Sequence, residues 1–422
     1  MWRGRYRRRA PRLGLLDTYS GVVRQSNPDH GLQRFTILST CGEPWGGSEE
    51  LWWAAACDLR GRGHSVDVLK TVVPENHPRI RHLRSIGCTV RDLDHSLVSR
   101  AGLAASVVLP AKWQLDSERG RMLRAAAILA SRRPSLVAIS QGQNFDGTHF
   151  ARVCRALGLD YVLISQKASE LLWPADDVRA YHGKGFGQAR SVIFVSEHNR
   201  RLTEEQLGLR LQHAIVLRNP LLAGRDGPLP WPGVPAEGLR LACIARLNVF
   251  EKGQDILLRV LAQRRWRERQ LRVSLYGEGR NRDALMDLGR RLGARASFEG
   301  ECSDIEGLWR DHHALVLPSR SEGMPLALVE AMMCGRPAVV TDVGGSGEVM
   351  QDGITGFMAS VPSVAALDAA LERFWDRRGN WEAMGIAARA HIRSLVPDDP
   401  GRILAEHLLD GARGVPMGVG AT

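Results

Sequence analysis

Two glutamates, Glu322 and Glu330, stand on either side of Pro325, a residue that suits the first turn of a helix. The start of a helix presents free backbone N–H groups and the positive end of the helix dipole, which together favour a phosphate. Carboxylates so near a phosphate would repel it, so we expect these two to accept hydrogen bonds from hydroxyl groups, as on a sugar and a ribose. A phosphate flanked by such hydroxyl groups is the chemistry of a nucleotide sugar.

The residues around this pair predict a strand and a helix that would hold it. Residues 315–317 close an apolar run typical of a buried parallel strand, and the chain then turns before Pro325. Apolar residues recur at helical spacing after the proline, until Gly335 provides a stop. Glu322 would therefore lie in the loop after a strand, and Glu330 on the following helix, about 7.5 Å beyond Pro325.

This stretch resembles the retaining glycosyltransferases of the GT-B fold, whose mark is S-x-x-E-G-x-x-x-x-x-x-E-A-x-x-x-G-x-P-V. The matching positions are Ser319, Glu322, Gly323, Glu330, Ala331, Gly335 and Pro337, with Ala338 where valine is usual. A plainer interpretation is a Rossmann-like strand–helix unit with two surface acids. The resemblance is strong over residues 240–360 and diffuse over the amino-terminal half.

The resemblance implies a role for each residue of the motif. Glu322 would orient the donor sugar rather than attack its anomeric carbon, and Glu330 would hold the donor ribose. The residues between them would also contact the donor: Gly323, Met324, Pro325 and Leu326.

A second segment, residues 246–253 (RLNVFEKG), is similar to the family's diphosphate-binding R-x5-K-G pattern. The resemblance implies that Arg246 and Lys252 stabilise the leaving diphosphate and complete a catalytic set with Glu322. A salt-bridged surface pair is the alternative for the two cations. Because fixed cations would take the place of a metal, no metal and no other cofactor is expected. The one Asp-x-Asp spacing, at Asp92, lies in the amino-terminal half.

Glycines at the ends of three predicted strands complete the candidate site. Residues 34–40 predict the first buried strand, and the loop after it ends in Gly46 and Gly47. The resemblance implies that this loop faces the donor across a cleft. Gly277 and Gly300 end two strands of the carboxyl-terminal half, and in relatives the latter loop borders the nucleotide base.

Strand–helix alternation along the chain predicts an α/β protein with two Rossmann-like, doubly wound parallel sheets facing a cleft, which is the GT-B arrangement. The expected division is a basic disordered tail (1–33), an acceptor-side domain (34–223), a linker (224–238), a nucleotide-sugar-binding domain (239–385) and a helical tail (386–422). The predicted linker holds four prolines and four glycines. From the resemblance, Trp375 and Trp381 are expected to anchor the end of the chain against the other domain.

Composition bounds the class of protein and its partners. A chain of 422 residues is long enough for two domains, and its net charge of +11 favours anionic ligands. Nucleic acid is not expected, because there is no zinc-finger spacing and no aromatic RNA-binding signature. The basic tail and the amphipathic residues 119–133 predict contact with an anionic membrane surface, with a sheet-covering helix as the alternative for the latter.

The expected location is the cytoplasm, with peripheral contact at the inner face of the membrane. No apolar run reaches the ~18–20 residues that span a bilayer. The seven cysteines are scattered and lack paired metal spacing, as in a reducing compartment.

Together these features predict a retaining hexosyltransferase that uses a nucleotide-diphosphate sugar. The acceptor would be a hydroxyl of a glycan, a lipid-linked molecule or a small molecule, in glycan or glycolipid synthesis. The alternatives are a sugar-nucleotide epimerase or phosphorylase of similar architecture, and a non-catalytic protein that binds a nucleotide sugar. Many relatives carry a histidine near Gln166, but glutamine does not titrate near neutrality, so no histidine role is predicted there.

Overall fold

The computed structural model describes residues 31–94, 117–221, 223–224, 227–236, 238–415 and 417. Most of the predicted basic tail lies outside the described residues, as do four positions in and beside the predicted linker. Within the described ranges, no helix combines the length and the apolar character needed to cross a membrane.

Two parallel sheets form the framework, in the orders β3-β2-β1-β4-β5-β6-β7 and β10-β9-β8-β11-β12-β13. The first contains β1 (Arg34–Ser39), β2 (Ser65–Lys70), β3 (Thr89–Asp92), β4 (Leu136–Gln141), β5 (Tyr161–Ser165), β6 (Ser191–Phe194) and β7 (Ala214–Val216). The second contains β8 (Leu239–Ile244), β9 (Leu271–Tyr276), β10 (Ala296–Gly300), β11 (Ala314–Leu317), β12 (Ala338–Thr341) and β13 (Gly356–Ala359). The predicted architecture of two doubly wound sheets is confirmed.

Helices connect and cover the strands of both sheets. Those of the first domain are α1 (Glu50–Gly61), α2 (Pro78–Ser85), α3 (Ser117–Arg132), α4 (Thr148–Ala156), α5 (Asp176–Gly187) and α6 (Glu197–Leu207). Those after β8 are α7 (Val249–Lys252), α8 (Gln254–Leu261), α9 (Arg264–Glu268), α10 (Arg282–Leu292), α11 (Ile305–Asp311), α12 (Leu326–Met333), α13 (Ser346–Val349), α14 (Val364–Asp376), α15 (Trp381–Leu395) and α16 (Pro400–Ala412).

Helices cover both faces of each sheet, so the central strands are largely buried. Every residue of β4 and of β11 is buried, as apolar runs in parallel strands require. Strand order reverses between β1 and β4 in the first sheet and between β8 and β11 in the second. In such sheets a ligand binds in the crevice at the carboxyl ends of the strands that flank the reversal. The topology therefore points to the loops after these four strands.

The basic amphipathic segment forms α3, which packs on the first sheet. Ala125 and Leu129 are fully buried in its core, while Leu123 on the outer side is 62% exposed. Arg121 lies 3.7 Å from Asp94. Of the two interpretations of this segment, the structure supports the sheet-covering helix.

The chain ends by returning to the first domain through α16, which packs on α1. Leu404 and Leu408 are fully buried in the first-domain core, and His407 lies 2.9 Å from the Ser191 hydroxyl at the start of β6. The prediction that Trp375 and Trp381 anchor this return is wrong. Both pack within the second domain, where the Trp381 ring stacks on Phe374 and its N–H donates to the Phe374 carbonyl. Both tryptophans precede the crossing, and only Trp381 packs α15 on α14; the Trp375 ring contacts Trp266 of α9.

Candidate functional site

The loops after the four central strands meet in a closed cleft between the domains. The Ser321 hydroxyl, after β11, donates to the Ser169 hydroxyl, after β5, at 3.0 Å. A Cβ built on Gly323 would lie 2.0 Å from the carbonyl oxygen of Gln166, so only glycine permits this approach of the two backbones. The glycine of the E-G motif thus lies directly against the first domain.

Glu322 and Lys252, predicted in different roles, form an ion pair in the cleft. Lys252 Nζ lies 2.8 Å from both carboxylate oxygens of Glu322, and the Ser319 hydroxyl donates to Oε1 at 2.7 Å. The side chains of both charged residues are largely buried, at 15% and 9% exposure. Glu322 therefore neutralises the cation that the resemblance assigns to the diphosphate.

Arg246 lies at the carboxyl end of β8 and joins the two sides of the cleft. Its Nη1 donates to Glu43 of the first domain at 2.8 Å, and its Nη2 donates to Glu251 at 3.2 Å. The Arg246 side chain is about half exposed, at 49%. A guanidinium in this position can exchange its carboxylate partners for a diphosphate, to which it binds in a similar bidentate geometry.

The two predicted motifs are joined through their backbones. Gly253 has φ +62°, and a Cβ there would lie 2.1 Å from the Pro318 carbonyl oxygen. The Glu251 carbonyl accepts hydrogen bonds from the N–H groups of Arg320 and Ser321, at 2.7 and 3.1 Å. This packing explains why the R-x5-K-G pattern ends in glycine, and it fixes Lys252 beside the loop that holds Glu322.

Glu330 lies in α12 and is 7% exposed. Burial, with a smaller contribution from the negative charge of Glu50 in the first domain, raises the pKa of the Glu330 carboxyl to about 8. Neither effect is offset by a hydrogen bond from another described side chain or N–H group. A buried carboxyl that lacks such hydrogen bonds is suited to accept them from a ligand that enters the cleft.

Glycines of the other predicted loops line the same edge of the sheets. Gly47 faces the start of α12, where its added Cβ would lie 2.0 Å from Leu326 Cδ1, while Gly46 precedes it in the loop after β1. The Gly277 N–H donates to the Gly300 carbonyl at 2.7 Å, beside the end of β8. Of the remaining predicted contacts, Met324 is buried and Pro325 is the N-cap of α12. Of these glycines, Gly47 contacts the opposite domain, whereas Gly277 and Gly300 join the ends of β9 and β10.

Sequence reasoning did not predict the pairs that bind these groups from across the cleft. Lys167 Nζ lies 2.9 Å from Glu251 Oε1, and Gln143 Nε2 donates to the same oxygen at 3.3 Å. Glu251 belongs to the quoted RLNVFEKG segment and Lys167 follows Gln166, so both stood beside residues that were singled out. Nothing in the sequence shows that residues 84 positions apart would pair.

A further cross-domain contact was also missed. Glu348 of α13 accepts hydrogen bonds from the N–H groups of Glu197 and His198 at the start of α6, at 3.1 and 2.6 Å. The His198 ring lies 2.8 Å from Glu170, and that hydrogen bond raises the pKa of His198 despite burial. The carboxylate of one domain thus caps a helix of the other, which stabilises the closed cleft.

Comparisons with known proteins find sequence relatives of the second domain. Residues 238–377 match the family described as glycosyl transferases group 1. Glycogen synthase of Mycobacterium tuberculosis is 31% identical over 218 residues, which cover 49% of this chain and 50% of that protein. A D-inositol 3-phosphate glycosyltransferase of Streptomyces griseus is 31% identical over 186 residues, which cover 41% of this chain and 39% of that protein. The chain thus spans half or less of the length of these curated relatives.

Solved structures match nearly the whole chain in fold. Anabaena HepE in complex with UDP-glucose has a TM-score of 0.68 at 17% identity, covering 90% of this chain and 100% of that one. Sucrose-phosphate synthase of Thermosynechococcus elongatus has a TM-score of 0.68 at 16% identity, covering 90% and 99%. This likeness shows the GT-B fold. Within that fold, residues 238–377 of the second domain match the glycosyl transferases group 1 family.

Proposed function

We propose that this protein is a retaining glycosyltransferase that moves a hexose-type sugar from a nucleotide-diphosphate sugar to an acceptor hydroxyl, in glycan or glycolipid synthesis. The observation that carries the proposal is the Lys252–Glu322 pair at 2.8 Å, beside the start of α12 and facing the first domain. A cation suited to a diphosphate and a carboxylate able to accept hydrogen bonds from hydroxyl groups lie next to each other in one cleft.

The donor would bind along the edge of the second sheet. Lys252 would exchange Glu322, and Arg246 would exchange Glu43, for the diphosphate. The N–H groups of Met324 and Leu326 at the start of α12 would assist. Glu330 would accept hydrogen bonds from the ribose hydroxyls. The loops at Gly277 and Gly300 would border the base, and Gly46 and Gly47 would approach the donor from the first domain.

Retention would follow from attack on the same face as the departing diphosphate. The bond from the anomeric carbon to the diphosphate oxygen breaks with its electron pair remaining on the diphosphate, whose charge Arg246 and Lys252 stabilise. The acceptor oxygen forms the new bond, and its proton passes to the departing phosphate oxygen beside it. Glu322, released from Lys252, orients the sugar through its hydroxyls rather than attacking the anomeric carbon.

Relatives supply a starting point for the donor. Glycogen synthase and D-inositol 3-phosphate glycosyltransferase are both named for sugar-transferring activities, and the HepE structure holds UDP-glucose. UDP-glucose is therefore the first donor to test, followed by other uridine, adenosine and guanosine diphosphate sugars.

A donor screen read by mass spectrometry tests the proposal. We expect nucleoside diphosphate release with a matching glycosylated product when glycan, lipid-linked and small-molecule hydroxyl acceptors are supplied. An epimerase would instead return a donor of unchanged mass and altered stereochemistry. A non-catalytic binding protein would bind the donor without hydrolysing it, even over long incubation. Either result would overturn the proposal.

The role of Glu322 is tested with a slow fluorinated donor. Glu322→Gln keeps the shape and loses the charge, so we expect lower turnover with residual activity. Peptide mass spectrometry of the wild-type protein should show no glycosyl adduct on Glu322. Such an adduct would favour double displacement through a covalent intermediate.

A further inference from the structure

Glu251 is a buried carboxylate on which both domains converge, although neither motif gives it a role. It lies in α7 next to Lys252 and is 6% exposed. Its Oε1 receives Lys167 at 2.9 Å and Gln143 at 3.3 Å, both from the first domain. Its Oε2 receives Arg246 of its own domain at 3.2 Å. Three donors from two domains therefore share one carboxylate.

The backbone of Glu251 is equally constrained. Its carbonyl accepts the N–H groups of Arg320 and Ser321, which precede Glu322. Arg320 in turn pairs with Asp255 at 2.7 and 2.9 Å. Glu251 is thus fixed to the Glu322 loop through its main chain, while its side chain spans the cleft.

We propose that Glu251 is a positioning residue that couples closure of the cleft to the placement of Arg246, with Lys167 as its partner in the first domain. When the domains close, Lys167 and Gln143 bind Oε1 and fix the orientation of the carboxylate. Oε2 then holds Arg246 where the diphosphate leaves. In an open cleft the carboxylate loses Lys167 and Gln143, so its orientation, and with it the position of Arg246, is no longer fixed. This inference rests on the proposed function.

The charges at this junction favour the coupling. Burial alone would raise the pKa of Glu251, but the positive charges of Lys167 and Arg246 outweigh it and lower that pKa. Burial lowers the pKa of Lys167, and Glu251 is the main group that opposes this; Lys252 repels the ammonium and Glu322 attracts it more weakly. Removing either Glu251 or Lys167 would leave the other as a buried charge without its partner. Each of the two charges therefore depends on the other.

A double-mutant cycle tests the coupling. The variants are Glu251→Gln, Lys167→Met and the two combined, assayed with UDP-glucose or the donor found by screening. We expect each single change to lower kcat about tenfold to a hundredfold, because misplaced catalytic groups cost rates of that order. The KM for the donor should change far less than kcat. The combined variant should lose little more than either single variant, since both remove the same interaction.

The pH profile separates positioning from mere stability. In the wild type, deprotonation of Lys167 at high pH breaks its pair with Glu251, so kcat should fall on the alkaline limb. The Glu251→Gln variant should lack this fall, because the pair is already gone. Glu372→Gln is the matched control, because Glu372 pairs with Arg269 at 2.7 and 2.8 Å within the second domain, away from the cleft. We expect it to retain the wild-type kcat and pH profile.

The outcomes are distinguishable. An active wild-type protein whose Glu251→Gln variant keeps its kcat and its alkaline limb would overturn this inference alone. Effects of Glu251→Gln and Lys167→Met that simply add in the combined variant would do the same. A wild-type protein that neither transfers nor hydrolyses any donor would overturn the proposed function, and this inference with it.

Discussion

The second-domain side of the cleft is bonded within itself, whereas the first-domain side contributes single residues from widely separated loops. Lys252, Glu322 and Ser319 bind one another within 2.8 Å, in segments that a family pattern covers. The first domain instead contacts the neighbouring Arg246 and Glu251, through Glu43, Gln143 and Lys167, each of which follows a different strand. Site residues that bond to one another within a few short segments leave a local pattern in the sequence. Site residues that come from separate loops do not. The predictions below test this contrast, from the largest expected effect to the smallest.

The largest loss of kcat should come from replacing Lys252, the cation of the second-domain site. Lys252→Gln removes the charge opposite the leaving diphosphate and leaves Glu322 without its cation. We expect kcat to fall about a hundredfold to a thousandfold, the usual loss when one preorganised electrostatic group is removed. Arg269→Gln, which breaks an ion pair elsewhere in the same domain, is the control for folding. A Lys252→Gln enzyme within threefold of wild type would show that Lys252 is a structural partner only.

The second-largest effect should be a loss of nucleotide affinity when Glu330 is replaced. Hydrogen bonds to a charged acceptor contribute about 1.5–3 kcal/mol, so Glu330→Ala should weaken nucleoside diphosphate binding by that amount. The pKa of about 8 means that at pH 7 the free protein carries mostly the neutral acid, whereas hydroxyl donors favour the carboxylate. Wild-type affinity should therefore rise as pH rises towards 8, with proton release on binding at pH 7.

Calorimetry in buffers of different ionisation enthalpy checks the Glu330 prediction. Glu330→Gln is the matched variant, because it keeps the shape but cannot release a proton. Its affinity should no longer depend on pH in this range. Equal proton release by wild type and Glu330→Gln would assign the titration to another group.

A smaller effect compares two glycines that approach the opposite domain. A Cβ on Gly323 would meet the backbone carbonyl of Gln166 at 2.0 Å, whereas one on Gly47 would meet the side-chain end of Leu326 at the same distance. Because a leucine side chain can move and a strand-end carbonyl cannot, Gly323→Ala should lower kcat about tenfold more than Gly47→Ala. Steady-state kinetics of both variants, with thermal unfolding as a check, measures the difference. Equal effects would mean that the cleft is not closed at Gly323 during turnover.

The smallest expected effect is that of a chelator. If Arg246 and Lys252 replace a metal on the diphosphate, activity in excess EDTA should equal that without it. Addition of magnesium or manganese after dialysis should change the rate by less than twofold. A strict requirement for either ion would contradict the assignment of the two cations.

Most strands could be predicted because apolar runs bounded by turns are local signals. The two that escaped, β3 and β13, show the limits of such signals. β3 is an edge strand of four residues, Thr89–Asp92, that is only partly buried, so its sequence lacks an apolar run. β13 is equally short and begins at Gly356, which has φ +153°. β3 forms by pairing with β2, and β13 by pairing with β12. Their formation thus depends on a neighbouring strand more than on their own sequence.

The sequence by itself determined the donor-side motifs, because Glu322, Lys252 and their glycines come from segments whose local order shapes the loops. It also determined the two-sheet architecture through its alternation of strands and helices. Only the tertiary structure decided that Glu251 would be shared by Arg246, Lys167 and Gln143, and that α16 rather than a tryptophan would return to the first domain. Those contacts join residues that are distant in the chain, and burial and charge pairing select them only after both domains have formed.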